Sequence, residues 1–134
     1  MIESAQEFIR LRDSEVIEEY TRSAQEEASM ETWLEVIVQY PEYREWVVHN
    51  KMVPLAILEI LTIDGDQKVR YVIARKRKIS DWIVDMLATD EDESVRIALV
   101  MNSKTSREQV LKIDRAGSDW FVNELDSVIA RRFG

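Results

Sequence analysis

The chain has 134 residues, a net charge of −8 and no cysteine. That length buries one sizeable core and predicts a single domain, and 46% hydrophobic with 33% charged residues excludes a disordered or collagen-like chain. Without cysteine there are no disulfides, thiolate metal sites or thiol nucleophiles, which fits a reducing, cytoplasmic setting.

The negative charge is unevenly spread. Residues 1–45 hold 4 basic and 12 acidic side chains, whereas residues 46–134 hold 14 of each. A field of that sign attracts basic proteins and repels phosphate backbones, so a basic protein is the expected partner and nucleic acid is disfavoured. Three glycines and two prolines are too few for the turns of a sheet-rich fold and point to an all-α chain.

In chain order, "MIESAQEFIRLRD" lacks the basic start and apolar core of a secretory signal. "SAQEFIRL", "SEVIEEYTRSAQEEA" and "SMETWLEVIVQY" each read as a helix with serine at or near its start, and Trp33, Val36, Ile37 and Tyr40 form one apolar stripe. Residues 1–40 are therefore expected to be an irregular, acidic helical cap. The pairs Glu18–Glu19 and Glu26–Glu27 are its candidate protein-binding residues. Further on, "MVPLAILEILTI" is too short to span a bilayer and carries Glu59 in its middle.

From there the text repeats. A shift of 26 residues aligns Tyr43, Val69 and Val95; Arg44, Arg70 and Arg96; Val47, Ile73 and Leu99; Leu58, Val84 and Val110; Leu61, Leu87 and Ile113; and Asp64 with Asp90. The units run 41–65, 66–91 and 92–116, and 117–134 reads as a partial fourth. In that last unit "VIAR" at Val128–Arg131 echoes Val72–Arg75, displaced by about four residues. Within a unit, Val69, Val72 and Ile73 follow helical spacing, as do Ile83, Met86 and Leu87. Asp66, Asp92, Ser80 and Ser106 are expected helix N-caps, and Pro54 suits a first helical position. Helices this short are marginal alone and must hide their apolar faces against neighbouring pairs, which predicts stacked helical hairpins with Leu61 and Leu87 in the core.

The pattern Asp-x-Asp-x-x-Val-Arg-x-x-apolar-Ala, a short link with Ser or Pro, and a second helix ending in Leu-Ala-x-Asp resembles the leucine-rich repeat variant, a relative of HEAT-like repeats. The resemblance covers residues 41–113. It implies a right-handed α-solenoid that supplies a binding surface. The clustered cysteines that hold an iron–sulfur group in some members are absent here, so no cofactor is carried over. "WVVHNKMVP" also resembles a piece of small bacterial proteins built from these repeats.

Candidate chemistry is sparse. "DGDQK" and "DEDES" look like calcium loops, but the sixth and twelfth positions are Val69 and Arg75 in one, Val95 and Met101 in the other, so the loop geometry fails. Asp64 and Asp90 are instead expected in turns, accepting hydrogen bonds from Arg70 or Arg96 in a ladder between layers. "RKRK", Arg75–Lys78, reads as charge at a helix end, or as a contact for an anionic partner. His49 is the only histidine and is read as a helix-end residue; one histidine without cysteine makes no transition-metal site. Trp33, Trp46, Trp82 and Trp120 read as core, with Trp120 after the loop "RAGSD" the expected exposed exception and a further candidate protein-binding residue. Together these features predict a non-catalytic protein-binding module, in the manner of an inhibitor or immunity-type protein. The alternative is a HEAT-like DNA-binding enzyme of the alkylpurine glycosylase type.

Overall fold

The computed structural model describes residues 1–134 and contains ten α-helices, one 3₁₀ turn and a single isolated bridge between Ile2 and Ala28. Short side chains that accept a hydrogen bond start most of the helices. Ser4, Ser29, Asp66, Ser80, Asp92, Ser106 and Ser118 each accept from a first-turn backbone N–H that has no partner inside its own helix. Ser106 goes further, because Gln109 returns a bond to the Ser106 N–H and closes a capping box. The four caps expected from the repeat are all present. Pro54 instead lies just before its helix, with its carbonyl accepting from the Leu58 N–H.

The chain forms two compact units, Met1–Leu61 and Thr62–Gly134. The first contains α1 (Ala5–Asp13), α2 (Ile17–Gln25), α3 (Met30–Gln39), the 3₁₀ turn Pro41–Tyr43 running into α4 (Arg44–His49), and α5 (Leu55–Leu61). Helix α1 lies on α2 and α3, while α2 meets α4 and α3 meets α5. Phe8, Leu11, Trp33, Val36, Val47, Ile57 and Leu61 are buried among them, with the Phe8 and Trp33 rings edge to face at 5.2 Å.

The second unit contains α6 (Gln67–Ala74), α7 (Asp81–Ala88), α8 (Glu93–Met101), α9 (Arg107–Leu111) and α10 (Asp119–Phe133). Here α6 meets α8, α7 meets α9, and α8 meets α10, the alternation already present in α2 to α5. Buried residues recur in phase: Val69, Val95 and Phe121; Ile73, Leu99 and Leu125; Leu87 and Ile113. Helices α6 to α9, each of nine residues or fewer, are too short to be stable alone, so such rows of apolar contacts hold them.

Two expectations change. The last segment is not displaced by four residues: its cap Ser118 and its buried Phe121 and Leu125 stand 26 residues after Asp92, Val95 and Leu99, and Arg131 is exposed. What fixes the phase is a tight turn before α10. A side chain on Gly117 would come within 2.7 Å of both a Glu93 carboxylate oxygen and the Phe121 ring, and Glu93 itself accepts from the Ser118 N–H and hydroxyl. The second change concerns α2 and α3, expected as irregular cap, which contact α4 and α5 in the same order in which α6 and α7 contact α8 and α9.

Candidate functional site

Of the three arginines spaced 26 residues apart, Arg70 and Arg96 are buried and donate hydrogen bonds to neighbouring turns, and Arg44 is half-buried. Arg70 donates Nε to Asp90 Oδ2 at 2.8 Å, Nη2 to Asp90 Oδ1 at 3.3 Å and Nη1 to the Asp64 carbonyl at 2.7 Å. The side chains of Arg70 and Asp90 are 9% and 5% exposed, so the pair is desolvated and stands because both partners are satisfied. The bond to Asp90 raises the Arg70 pKa above the usual arginine value. The expected bridge between Asp64 and Asp90 therefore exists at Arg70.

Arg96 departs from the ladder. Its Nη1 donates to the carbonyls of Asp114 and Ala116, not to Asp90, and its guanidinium lies 4.4 Å from the Phe121 ring centre. The reason is that the next turn presents backbone oxygens where the earlier one presents a buried carboxylate. Arg44 uses Nε to hold the Ile37 carbonyl in α3. Asp64, Asp90 and Asp114 each accept the N–H two residues on, at 2.8 to 2.9 Å, which shapes three equivalent turns.

A second polar device escaped the sequence reading. The Asn102 amide donates to the carbonyls of Ala74 and Lys76, at the end of α6, and its oxygen accepts from the Lys104 N–H. Asn50 does the same for Ser23 and Glu26 at the end of α2 and accepts from the Met52 N–H. Both asparagines are buried. The signal was present in "HNK" and "NSK", two polar segments 52 residues apart, twice the repeat, each following a buried helix.

The acidic residues of the first unit divide. Glu19 is held by Arg10 and Ser14, and Glu26 by Arg22 and the N-terminal ammonium; in each case the arginine hydrogen bond is the main reason that the carboxyl titrates below its usual range. Glu18 and Glu27 are exposed and lie in no ion pair. In the same unit Val16, Ile17 and Tyr20 on and before α2, and Leu34 and Val38 on α3, leave apolar surface in solvent, Ile17 by 74% and Val38 by 69%.

Among the tryptophans Trp33 is fully buried, while Trp82 and Trp120 are 46% and 58% exposed, so Trp120 has company that the sequence reading assigned to the core. Trp46 is half-buried and carries the Arg12 guanidinium 3.5 Å over its ring. His49 ends α4, near Glu45 and the Trp46 ring, as its position predicts. No three His, Asp or Glu side chains are grouped to hold a metal ion, and no helix is long and apolar enough to cross a membrane. No family model, curated protein or solved structure matches the chain.

Proposed function

We propose that this protein is a non-catalytic helical-repeat module, a short right-handed α-solenoid of the leucine-rich repeat variant and HEAT-like kind, that binds a basic protein through its N-terminal unit. One observation carries this reading. The excess negative charge and a set of exposed apolar side chains occur in the same unit: Met1–Leu61 holds 5 basic and 13 acidic side chains, against 13 of each in Thr62–Gly134, and it exposes Val16, Ile17, Tyr20, Leu34 and Val38 as well as the unpaired Glu18 and Glu27. Apolar contact supplies affinity, and the surrounding carboxylates steer and select a cationic partner. Glu19 and Glu26, already paired within the unit, shape the face more than they contact a partner.

Such a module suits the role of an inhibitor or immunity-type protein for a cationic toxin or nuclease. The test is affinity capture with the intact chain and with a Glu18→Lys/Glu27→Lys variant. The expected result is a basic protein retained by the first, released by salt and lost about tenfold or more by the second, since reversed rim charges oppose encounter. Retention that is indifferent to both salt and the substitutions would overturn the reading. Tight binding of duplex DNA with a steep salt dependence would replace it with the DNA-enzyme alternative.

A further inference from the structure

The run Arg75–Lys78 follows α6, where positive charge complements the helix macrodipole. Several carbonyls at that helix end have donors without these side chains. The carbonyls of Ala74 and Lys76 accept from the Asn102 amide at 2.9 and 2.7 Å, and those of Val72 and Ile73 accept from the Arg75 backbone N–H. The guanidinium groups are therefore not used as hydrogen-bond caps of that helix end.

Neither Arg75 nor Arg77 has an ion-pair partner or a side-chain hydrogen bond. Elsewhere in Thr62–Gly134, Arg70, Arg96 and Arg115 each lie within 4.0 Å of a carboxylate. Arg75 and Arg77 instead line an open groove of about 380 Å³ together with Tyr71, Ala98, Met101 and Ser103, and no carboxylate forms part of its wall. The Arg75 guanidinium sits 5.7 Å from the centre of the Tyr71 ring, so one wall of the groove is a stacked cation and ring. Burial also lowers the pKa of the neighbouring Lys76 below the usual lysine value.

We propose that this groove binds a small organic phosphate monoester. Two planar guanidinium forks offer more N–H donors than the two oxygens of a carboxylate can accept, whereas a phosphate monoester presents three terminal oxygens and about two charges. Ser103 adds a hydroxyl at the rim, and Tyr71, Ala98 and Met101 provide apolar surface for the organic group. Binding is non-covalent and requires no reaction. Every residue involved belongs to Thr62–Gly134, whereas the exposed carboxylates and apolar side chains proposed to bind a protein belong to Met1–Leu61.

The test is a titration of the full chain with phenyl phosphate, inorganic phosphate and benzoate, followed by the backbone amide resonances of Tyr71 and Ser103 and by calorimetry. Phenyl phosphate is expected to saturate and to bind more tightly than either other probe. Affinity should fall about tenfold or more in Arg75→Gln/Arg77→Gln and stay unchanged in Arg107→Gln, which removes one exposed cation at the start of α9. Tyr71→Ala should retain inorganic phosphate binding and lose the preference for the phenyl ester, which provides a reading even if the double arginine variant does not fold. Failure of phenyl phosphate to saturate, equal weakening by Arg107→Gln, or benzoate bound as tightly would each overturn the proposal. Inorganic phosphate bound as tightly as the ester would overturn the role given to the apolar wall, and a single-stranded oligonucleotide bound far more tightly than the ester would replace a small ligand with nucleic acid.

Discussion

In Met1–Leu61 the amide of Asn50 closes the end of α2, and in Thr62–Gly134 the amide of Asn102 closes the end of α6 with the same three hydrogen bonds. The arginines of the two units behave differently. Arg44 holds the Ile37 carbonyl with Nε, whereas Arg70 grips a buried carboxylate with two nitrogens and a carbonyl with a third. The contrast separates two kinds of requirement. Any helix end buried by a neighbour leaves carbonyls that need donors whatever the surrounding charge, and a neutral amide serves equally in an acidic unit and a neutral one. A guanidinium–carboxylate pair depends on a turn that happens to bury an aspartate, so it need not recur with the period.

The largest effect should follow from breaking the arginine half of this comparison. Arg70→Met leaves Asp90 buried with only the Asp92 N–H for company, and should cost about 3 to 5 kcal/mol in denaturant unfolding. Arg44→Met removes the Nε donor to the Ile37 carbonyl, a bond worth about 1 kcal/mol, from a side chain that is only half-buried, and should cost less than Arg70→Met. Adding Asp90→Asn to Arg70→Met removes the uncompensated charge while keeping the oxygen that accepts from Asp92, and should restore most of the loss. Equal costs at positions 44 and 70 would show that the carboxylate contributes nothing specific.

The asparagine half predicts equality instead. Asn50→Ala and Asn102→Ala each strip one buried and one partly buried carbonyl of their donor, and each should lower stability by about 2 kcal/mol. A difference of more than about 1 kcal/mol between them would mean that the two helix ends are not equivalent, and the shared device would be a coincidence of contacts.

These two positions also mark where the sequence was legible. Asp66, Asp92, Ser80 and Ser106 could be assigned as caps because a cap is a local matter, one side chain serving an N–H two or three residues on. Leu61 and Leu87 could be assigned to the core because apolar spacing reports burial directly. Asn50 and Asn102 were passed over since their partners lie 24 to 28 residues back and nothing nearby demands a polar side chain. The echo of "VIAR" misled for the opposite reason. Four identical letters outweighed the weaker but correct register of Ser118, Phe121 and Leu125, whose residue types differ from their counterparts while their burial does not. Trp82 shows the limit of spacing alone: it neighbours the buried Ile83 and Val84, yet one step around the helix turns it to solvent. On the acidic face, composition revealed the carboxylates but not their pairing, because Arg10 with Glu19 is a tertiary contact between α1 and α2.

The smallest expected effect is confined to the first unit and arises from a bond without a counterpart in the second. The Tyr43 hydroxyl donates to the Asp13 carboxylate at the end of α1, whereas the residues in phase with Tyr43 are Val69 and Val95. That bond, chiefly, together with desolvation and the nearby negative charge, pushes the phenol up to about 12 from an ordinary 10.0. The native state then holds its proton more tightly than the unfolded chain does. Its stabilising contribution is therefore complete below pH 10.0 and declines as pH rises toward about 12, where the unfolded chain has already released the proton. Tyrosinate absorbance should show a late titration near pH 12 that Asp13→Asn moves down, because the amide keeps a hydrogen-bond acceptor but removes the charge that resists ionisation. Because the phenol is only partly shielded from water, the accompanying change in stability should be slight, and it should appear in the unfolding of α1 against the Pro41–Tyr43 turn before it appears anywhere in Thr62–Gly134.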